Sequence, residues 1–287
     1  MPRLSLPHDP PKGDLLHFLS TKTPYESARV ILVGCPLDMT SSFRPGTRFG
    51  PNAIREASWN LESYSHTLDK DLEELPICDL GDISLPLSLE EALREIEGSV
   101  SKISSNKKIP FLLGGEHLLS LPAVRALKAF YPDLVFLQVD AHSDFRESYL
   151  NASLSHATVA RRIFEELGEG KLIQVGVRSW DKKEREQALG KVKFLGETPP
   201  GSLPDTRSCL YLSLDLDVLD PSVCPGVSTP EPGGWSFKEL VSFLDLIPWE
   251  RVVGVDLVEL SPPYDPGGIS ALVAAKVVKE VLLRIAN

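Results

Sequence analysis

Two aspartates and a histidine stand within five residues of one another, directly after an apolar part of the chain. Residues 134–137 have the composition of a buried strand, and Asp140, His142 and Asp144 follow it. Such groups are costly to bury unless a partner compensates them. In extended backbone, residues two apart share a face, so Asp140 and His142 point the same way. This segment therefore predicts a bound partner at the end of a core strand.

Two further apolar segments end in the same kind of residue. Glu116 and His117 follow the sequence FLLGG, and Asp215 and Asp217 lie in SLDLDVLDP. In open sheets of parallel strands, ligands bind beyond the carboxyl ends of the strands. We therefore expect two imidazoles and four carboxylates to meet at one end of a sheet. Asp220, which precedes a proline, is interpreted as a turn residue.

The chemistry of that set indicates a metal centre. Carboxylates that lie close together repel, and their pKa values rise unless a cation compensates them. Carboxylate mixed with imidazole suits Mn²⁺, with Zn²⁺, Co²⁺ or Fe²⁺ as alternatives, whereas the lack of a C-x-x-C pair excludes an all-thiolate zinc site. The number of ligands exceeds the needs of one catalytic metal. It matches two metals about 3.5–4 Å apart, which activate a water as a nucleophile.

The elements that must position these residues alternate between strands and helices. Strands are predicted at 30–35, 109–115, 134–140, 172–177, 209–217 and 252–260. Helices are predicted at 51–58, 88–103, 119–131, 236–247 and 269–285. Strands that are apolar at nearly every position are typical of a parallel sheet covered on both faces. We expect a three-layer α/β/α sandwich with a central, mostly parallel sheet, in a single domain over residues 1–287.

Composition excludes several classes of protein. The formal net charge of −10 over 287 residues argues against a nucleic-acid partner, which requires basic patches. No apolar run approaches the roughly 18 residues of a membrane span. Residues 1–14 lack the pattern of a signal peptide. The scattered cysteines are interpreted as reduced thiols of a cytoplasmic protein; they are Cys35, Cys78, Cys209 and Cys224.

From about residue 29 to residue 285, the chain resembles the ureohydrolase family of agmatinases and arginases. GGEHLLSLP is similar to the family's G-G-D-H motif, VDAHSD to D-A-H-x-D, and SLDLDVLDP to S-x-D-x-D-x-x-D-P. GVDLVELSPPYD resembles the closing segment that carries a glutamate, and SFRPGTRFGPNAIREAS resembles the agmatinase-like branch. The resemblance implies hydrolysis of a guanidinium group to urea and an amine, on an α/β/α fold that forms homotrimers or homohexamers.

The resemblance also implies how two manganese ions are held. The first would bind His117, Asp140, Asp144 and Asp215, and the second would bind His142, Asp140, Asp215 and Asp217. Asp140 and Asp215 would therefore bridge the two ions.

Three side chains are implied in catalysis. His156 matches the histidine that shuttles protons, Asp144 would accept a hydrogen bond from the attacking water, and Glu259 would pair with the substrate guanidinium. Two positions depart from the family pattern: Glu116 replaces an aspartate, which we expect to tune His117, and Ala157 replaces a glycine.

Substrate choice is expected to depend on the residues after D-A-H-x-D. Arginases carry there an asparagine that holds the α-carboxylate and α-amino end of arginine, but this chain has Arg146. We therefore expect agmatine, cleaved to putrescine and urea in polyamine biosynthesis, with Glu147 attracting the amine. N1-aminopropylagmatine, arginine and guanidinobutyrate remain alternative substrates. Two alternatives belong to other functional classes: a metal-binding relative without catalytic activity, and an amide hydrolase with one metal.

Overall fold

A sheet of eight parallel strands dominates the computed structural model, which describes residues 16–204 and 207–286. The strands are β1 Val30–Cys35, β2 Tyr64–Ser65, β3 Lys70–Asp71, β4 Ile77–Asp82, β5 Ile109–Gly114, β6 Val135–Val139, β7 Leu172–Val175, β8 Lys193–Phe194, β9 Leu210–Asp215 and β10 Val252–Val258. The α-helices are α1 Gly50–Ser58, α2 Leu89–Ser105, α3 Ser120–Lys128, α4 Val159–Leu167, α5 Lys182–Ala188, α6 Phe237–Leu244 and α7 Ile269–Ile285. The short strands β2 and β3 form a separate antiparallel pair.

The order of strands in the sheet differs from their order in the chain. Across the sheet it is β4-β1-β5-β10-β9-β6-β7-β8. The chain passes from β5 to β6 without pairing them, continues outward to β7 and β8, and then returns to place β9 and β10 in the gap. The carboxyl ends of β5, β10, β9 and β6 are therefore neighbours at the centre of the sheet.

Each face of the sheet carries its own hydrophobic core. In β1, Val30 and Leu32 belong to the core shared with α1, α6 and α7, whereas Ile31 and Val33 belong to the core shared with α2, α3 and α4. Alternate side chains of a strand point to opposite faces, so a strand buried on both sides must be apolar throughout. The predicted three-layer α/β/α sandwich is confirmed.

Most predicted elements are confirmed, with bounds that shift by a few residues. The predicted ranges do not include the short strands β2, β3 and β8, the strand β4, or the helices α4 and α5. The strand β4 was missed because it carries Asp79 and Asp82, and Asp79 is buried only because it pairs with Arg55, with 2.8 Å between Oδ2 and Nε. The helix α5 was missed because it is short and rich in charged residues.

Serines occupy the N-cap positions of α2 and α6, and only one of them caps its helix through its side chain. Ser236 forms a capping box with Glu239 at the start of α6. Ser88 occupies the N-cap position of α2, but its hydroxyl donates to Glu90 Oε2 at 3.2 Å instead of capping the helix.

The prediction about a signal peptide, at residues 1–14, lies outside the described residues. Among the helices of residues 16–204 and 207–286, none combines the length and the apolar character needed to cross a bilayer.

Two glycines at the end of β5 allow the central strands to approach closely. A Cβ atom at Gly115 would lie 2.3 Å from the carbonyl oxygen of Leu37, and one at Gly114 would lie 2.6 Å from that of Leu257. The carbonyl oxygen of Gly115 accepts a hydrogen bond from the backbone N–H of Glu259 at 2.9 Å. This close approach places His117 beside Glu259.

Candidate active site

The first of two ligand groups surrounds His117, just beyond the end of β5. Its Nδ1 atom lies 3.0 Å from Asp140 Oδ2, 3.2 Å from Asp215 Oδ2 and 3.3 Å from Asp144 Oδ2. This nitrogen is nevertheless buried without a properly directed hydrogen bond. A buried imidazole nitrogen at similar distances from three carboxylate oxygens is the arrangement of ligands that share one cation. The donor set therefore fits a divalent metal.

The second group surrounds His142, beyond the end of β6. Its Nδ1 atom lies 2.8 Å from Asp217 Oδ2 and 3.8 Å from Asp140 Oδ1. Asp140 therefore turns one oxygen toward each histidine and belongs to both groups. The second carboxylate oxygen of Asp215, Oδ1, accepts a hydrogen bond from the backbone N–H of Asp217 at 2.9 Å. Asp215 thus lies in the first group, and its role as a second bridge stays a prediction.

A chain of buried polar groups beneath the site orients His117. Its Nε2 atom lies 2.9 Å from Ser213 Oγ, which donates to Asp256 Oδ1 at 2.6 Å. Asp256 also accepts hydrogen bonds from Ser120 Oγ and Tyr211 Oη. With Nε2 as a donor to Ser213, we assign the lone pair of Nδ1 to the face of the carboxylates.

A second buried network holds Asp140. The amide of Gln138 donates to Asp140 Oδ2 at 2.7 Å, and the amide of Gln174 donates to Gln138 Oε1 at 2.7 Å and to the carbonyl oxygen of Ser143 at 2.6 Å. Both glutamines are fully buried, in β6 and β7. The network fixes the turn that carries the ligands.

Sequence reasoning missed these supporting residues, although the sequence contains a signal for them. Four polar residues, each flanked on both sides by apolar residues, lie within the buried strands: Ser213, Asp256, Gln138 and Gln174. A polar group inside a buried strand requires a hydrogen-bonding partner, and here those partners are the candidate ligands or their neighbours.

The electrostatics of the cluster also favour a cation. Burial and the charges of Asp217 and Asp140 raise the pKa of Asp215 well above its usual range. Burial and the charge of Asp140 raise the pKa of Asp144 to about 7. Burial opposes the charged form of His117, but the surrounding carboxylates outweigh it and raise the pKa of this imidazole well above its usual value. A divalent cation would replace the protons that these groups otherwise hold.

Two candidate site residues have left-handed backbone, which is uncommon outside glycine. The φ angle is 52° at Asp144 and 69° at Glu259. Such conformations cost on the order of 1–3 kcal/mol each and persist only where the surrounding structure enforces them. The backbone N–H of Phe145, the residue after Asp144, donates to Glu184 Oε1 at 2.8 Å. The strain therefore coincides with the site.

Glu259 lies at the end of β10, with its carboxylate held by two donors. Its Oε1 atom accepts the backbone N–H of His117 at 2.6 Å, and its Oε2 atom accepts the hydroxyl of Ser228. Burial raises the pKa of Glu259 to about 7. A cationic partner would restore its charge.

His156 approaches the site from the turn before α4. Its Nδ1 atom lies 3.3 Å from Thr40 Oγ1, its backbone N–H donates to the same oxygen at 3.0 Å, and its ring packs edge-on against Tyr149. Burial lowers the pKa of His156, which leaves the imidazole able to accept a proton.

The carboxylate of Glu116 lies against the loop after β1. It accepts hydrogen bonds from the backbone of Met39 at 3.2 Å and of Thr40 at 2.8 Å, and its expected influence on His117 stays a prediction. It also accepts the Thr40 hydroxyl at 3.0 Å. Glu116 therefore fixes the loop after β1, and that loop contacts His156.

A cavity of about 260 Å³ opens above the ligands. Besides His142, Asp144, Asp215 and Asp217, its lining includes Arg146, Tyr149, His156, Ala157, Trp180, Glu184, Glu231 and Glu259. Arg146 is already paired, with its Nη1 atom 2.9 Å from Asp181 Oδ2 and its Nε atom 3.5 Å from Glu184 Oε2. Glu147, predicted to attract the substrate amine, lines a neighbouring groove with Asp181 and Lys183.

Comparison with known proteins agrees with this geometry. A model of the arginase family matches residues 28–198 and 200–284. The agmatinase of Halalkalibacterium halodurans is 40% identical over 275 residues, which are 93% of this chain and 95% of that protein. The N(1)-aminopropylagmatine ureohydrolase of Thermococcus kodakarensis is 40% identical, over 88% of this chain and 89% of that protein. The crystal structure of the agmatine ureohydrolase of Thermoplasma volcanium superposes with a TM-score of 0.88 at 36% identity, covering 96% of this chain and 95% of that one.

Removing a ligand carboxylate should remove metal. We expect Asp140→Ala or Asp217→Ala to lose bound divalent metal, because each replacement leaves a candidate imidazole ligand without its nearest carboxylate. Metal per chain after dialysis, measured by atomic absorption, checks this outcome. Asp220→Asn is the matched control, since Asp220 lies in the same turn but accepts hydrogen bonds from Ser222, Gly233 and Gly234. Full metal content in either alanine variant would contradict the site.

Stability without metal should fall as pH rises. Asp144 and Glu259 have folded-state pKa values of about 7, above the ordinary values near 4, so the folded protein binds more protons than the unfolded chain between these limits. The raised pKa of His117 acts in the same direction. We expect the melting temperature of chelator-treated protein to decrease between about pH 5 and about pH 8. Saturating Mn²⁺ should remove most of that decrease, and an equal decrease with and without Mn²⁺ would argue against cation binding at the cluster.

Proposed function

The chain belongs to the arginase family of ureohydrolases, and we propose that it hydrolyses agmatine to putrescine and urea with two bound Mn²⁺ ions. The observation that carries this proposal is the pair of ligand groups joined through Asp140, beneath a cavity in which Glu259 faces the ligands. The named activities of its relatives in Halalkalibacterium halodurans and Thermoplasma volcanium support agmatine as the substrate.

The metal ions supply one component of the chemistry. Two bound Mn²⁺ ions would lower the pKa of a water so that it ionises near neutral pH. Manganese is proposed because carboxylate and imidazole ligands suit it, and because no thiolate belongs to either ligand group.

Glu259 is proposed to bind the guanidinium group of the substrate. Its two oxygens are held by the His117 N–H and the Ser228 hydroxyl, so the carboxylate is oriented before the substrate arrives. The remaining lone pairs can accept two N–H groups of a guanidinium in a bidentate contact. Such a contact fixes the guanidinium carbon against the ligand cluster and lowers the entropy cost of reaction.

Asp144 and His156 are proposed to manage protons. Asp144 lies within the first ligand group and accepts a hydrogen bond from the attacking water. His156, on the other side of the cavity, delivers a proton to the nitrogen of the leaving amine. Its lowered pKa favours the neutral imidazole, which takes up a proton before it gives one.

The charges of the cavity favour a substrate with a cationic tail. Arg146 is the residue that a substrate carboxylate would approach, but Asp181 and Glu184 already neutralise it. Arginine and guanidinobutyrate both carry a carboxylate, so we propose a substrate without one. The groove that begins at Arg146 also contains Glu147, and it favours the longer polycation N1-aminopropylagmatine as a second candidate.

We further propose one cytoplasmic ureohydrolase domain over residues 1–287, which assembles into homotrimers or homohexamers and takes part in polyamine biosynthesis. Large apolar side chains are exposed around the neighbouring helices α1 and α7, and they support self-association: Phe49, Trp59, Ile269 and Leu272.

A comparison of substrates tests the proposed function. Mn²⁺-loaded protein should release urea from agmatine with a higher kcat/KM than from 4-guanidinobutyrate or arginine, because both of these carry a carboxylate. N1-aminopropylagmatine is measured beside them as the second candidate. A colorimetric urea assay at several substrate concentrations measures the four values. Arginine as the best substrate would contradict the proposal, and the longer polyamine as the best substrate would favour the second candidate.

Removing the imidazole of His156 should slow turnover without removing metal. We expect His156→Asn to lower kcat by about 10²–10⁴-fold, the usual contribution of a positioned acid or base. Metal content per chain should stay equal to that of the wild type. His66→Asn, in an exposed loop, is the control and should have wild-type activity. A kcat near the wild-type value in His156→Asn would exclude the proposed proton transfer.

A further inference from the structure

The carboxylate of Glu231 has no partner among the described residues, although it lines the cavity. The other acidic side chains of that lining are engaged: Glu184 accepts the backbone N–H of Phe145, and Glu259 is held by His117 and Ser228. Asp144, Asp215 and Asp217 belong to the ligand cluster. Within residues 16–204 and 207–286, Glu231 accepts a hydrogen bond through its backbone carbonyl oxygen. Its half-buried side chain is therefore available to bind a ligand in the cavity.

Arg178 holds the backbone of Glu231 in a fixed position. Its guanidinium donates to backbone carbonyl oxygens on three segments of the chain. On the loop after β9 these are Glu231 at 2.6 Å and Pro232 at 3.2 Å. On the turn that carries a metal-ligand candidate they are Asp217 at 2.8 Å and Val218 at 3.2 Å.

The fifth contact of Arg178 is with the carbonyl oxygen of Gly176 at 3.5 Å, so all five N–H donors of the guanidinium are used. Arg178 thus connects the loop of Glu231 to the turn of Asp217. The distance between a group bound at the ligand cluster and a group bound at Glu231 is therefore set by the fold.

The same cavity offers an apolar wall for an alkyl chain. Tyr149 and Trp180 both belong to its lining, and the ring of Trp180 packs edge-on against the ring of Phe194. A cavity with a guanidinium site at Glu259, aromatic walls and an unpaired carboxylate at Glu231 matches a molecule with a cation at each end.

We propose that Glu231 binds the terminal ammonium of the substrate and thereby selects guanidino-amines over guanidino-carboxylates. This inference rests on the proposed function, and it names the residue that recognises the end of the substrate distant from the guanidinium. An ammonium gains a charge-assisted hydrogen bond at Glu231, whereas a carboxylate at the same place is repelled.

A substitution of Glu231 and two substrates of similar shape test this inference. n-Pentylguanidine resembles agmatine but carries a methyl group where agmatine has its ammonium. We expect Glu231→Gln to lower kcat/KM for agmatine by about 10- to 100-fold, mainly through KM, because it loses the interaction with the charged end. The value for n-pentylguanidine should stay within about twofold of the wild type.

Glu169→Gln is the matched control, since Glu169 is an exposed acidic residue in the turn between α4 and β7. It should leave kcat/KM for agmatine near the wild-type value. The Glu231 substitution should also leave the loop intact, because Arg178 binds the backbone of residue 231 and not its side chain. Metal content and melting temperature near those of the wild type check this point.

Several results would overturn the inference. These are an equal loss for both substrates, no loss for agmatine in Glu231→Gln, or a loss of similar size in Glu169→Gln. Failure of the proposed function is a different result, namely no urea from agmatine with the Mn²⁺-loaded wild type. In that case calorimetric titration with putrescine, a diamine with the same terminal ammonium, still tests Glu231: binding that is equally strong in the wild type and in Glu231→Gln would overturn the inference.

Discussion

Mutual repulsion among buried carboxylates is the constraint on which this structure depends. Asp140, Asp144 and Asp215 converge on a single imidazole nitrogen, and burial makes their charges more costly than in water. Proteins tolerate such a cluster where a cation or protons compensate it. The ligand geometry, the raised pKa values and the left-handed backbone at Asp144 are all consistent with a cation.

The sheet serves this cluster by bringing together strands that are distant in the chain. β5 and β6 follow one another in sequence, yet β10 and β9 lie between them, so four strand ends converge. Beneath the ends, buried polar side chains inside the strands orient the ligands. Asp256 and Ser213 orient His117, and Gln138 with Gln174 holds Asp140. Because the supporting groups stand on strands, they hold the ligands more rigidly than a loop would.

We propose a different function for the loops above the sheet, which is to recognise the substrate. Glu116 anchors the loop that contacts His156, and Arg178 anchors the loop that carries Glu231. The guanidinium of Arg146 is paired with its acidic neighbours, so it is not available to bind a substrate carboxylate. Specificity for a cationic tail would then arise from what the cavity repels as well as from what it binds.

Much of the fold could be predicted from local patterns. Continuous apolar runs and helical stretches at period 3.6 identify elements, because each pattern reports the burial of one element alone. The strand β4 escaped this reasoning because its burial depends on the pairing of Asp79 with Arg55, which lies on a different element. The short helix α5 lacked a sufficient apolar stripe for the same kind of prediction.

The sequence by itself determined which residues could bind a metal, since Asp140, His142, Asp144, Asp215 and Asp217 stand at strand ends with the spacing of ligands, and His117 follows a pair of glycines. Only the tertiary structure decided how they are combined. The candidate ligands divide around two histidines, Glu116 is attached to the loop of Thr40, and the Glu231 side chain has no partner among residues 16–204 and 207–286. All three features depend on contacts between distant parts of the chain. Side-chain type and local spacing are properties of a segment, whereas these contacts depend on the order of strands in the sheet, which no single segment contains.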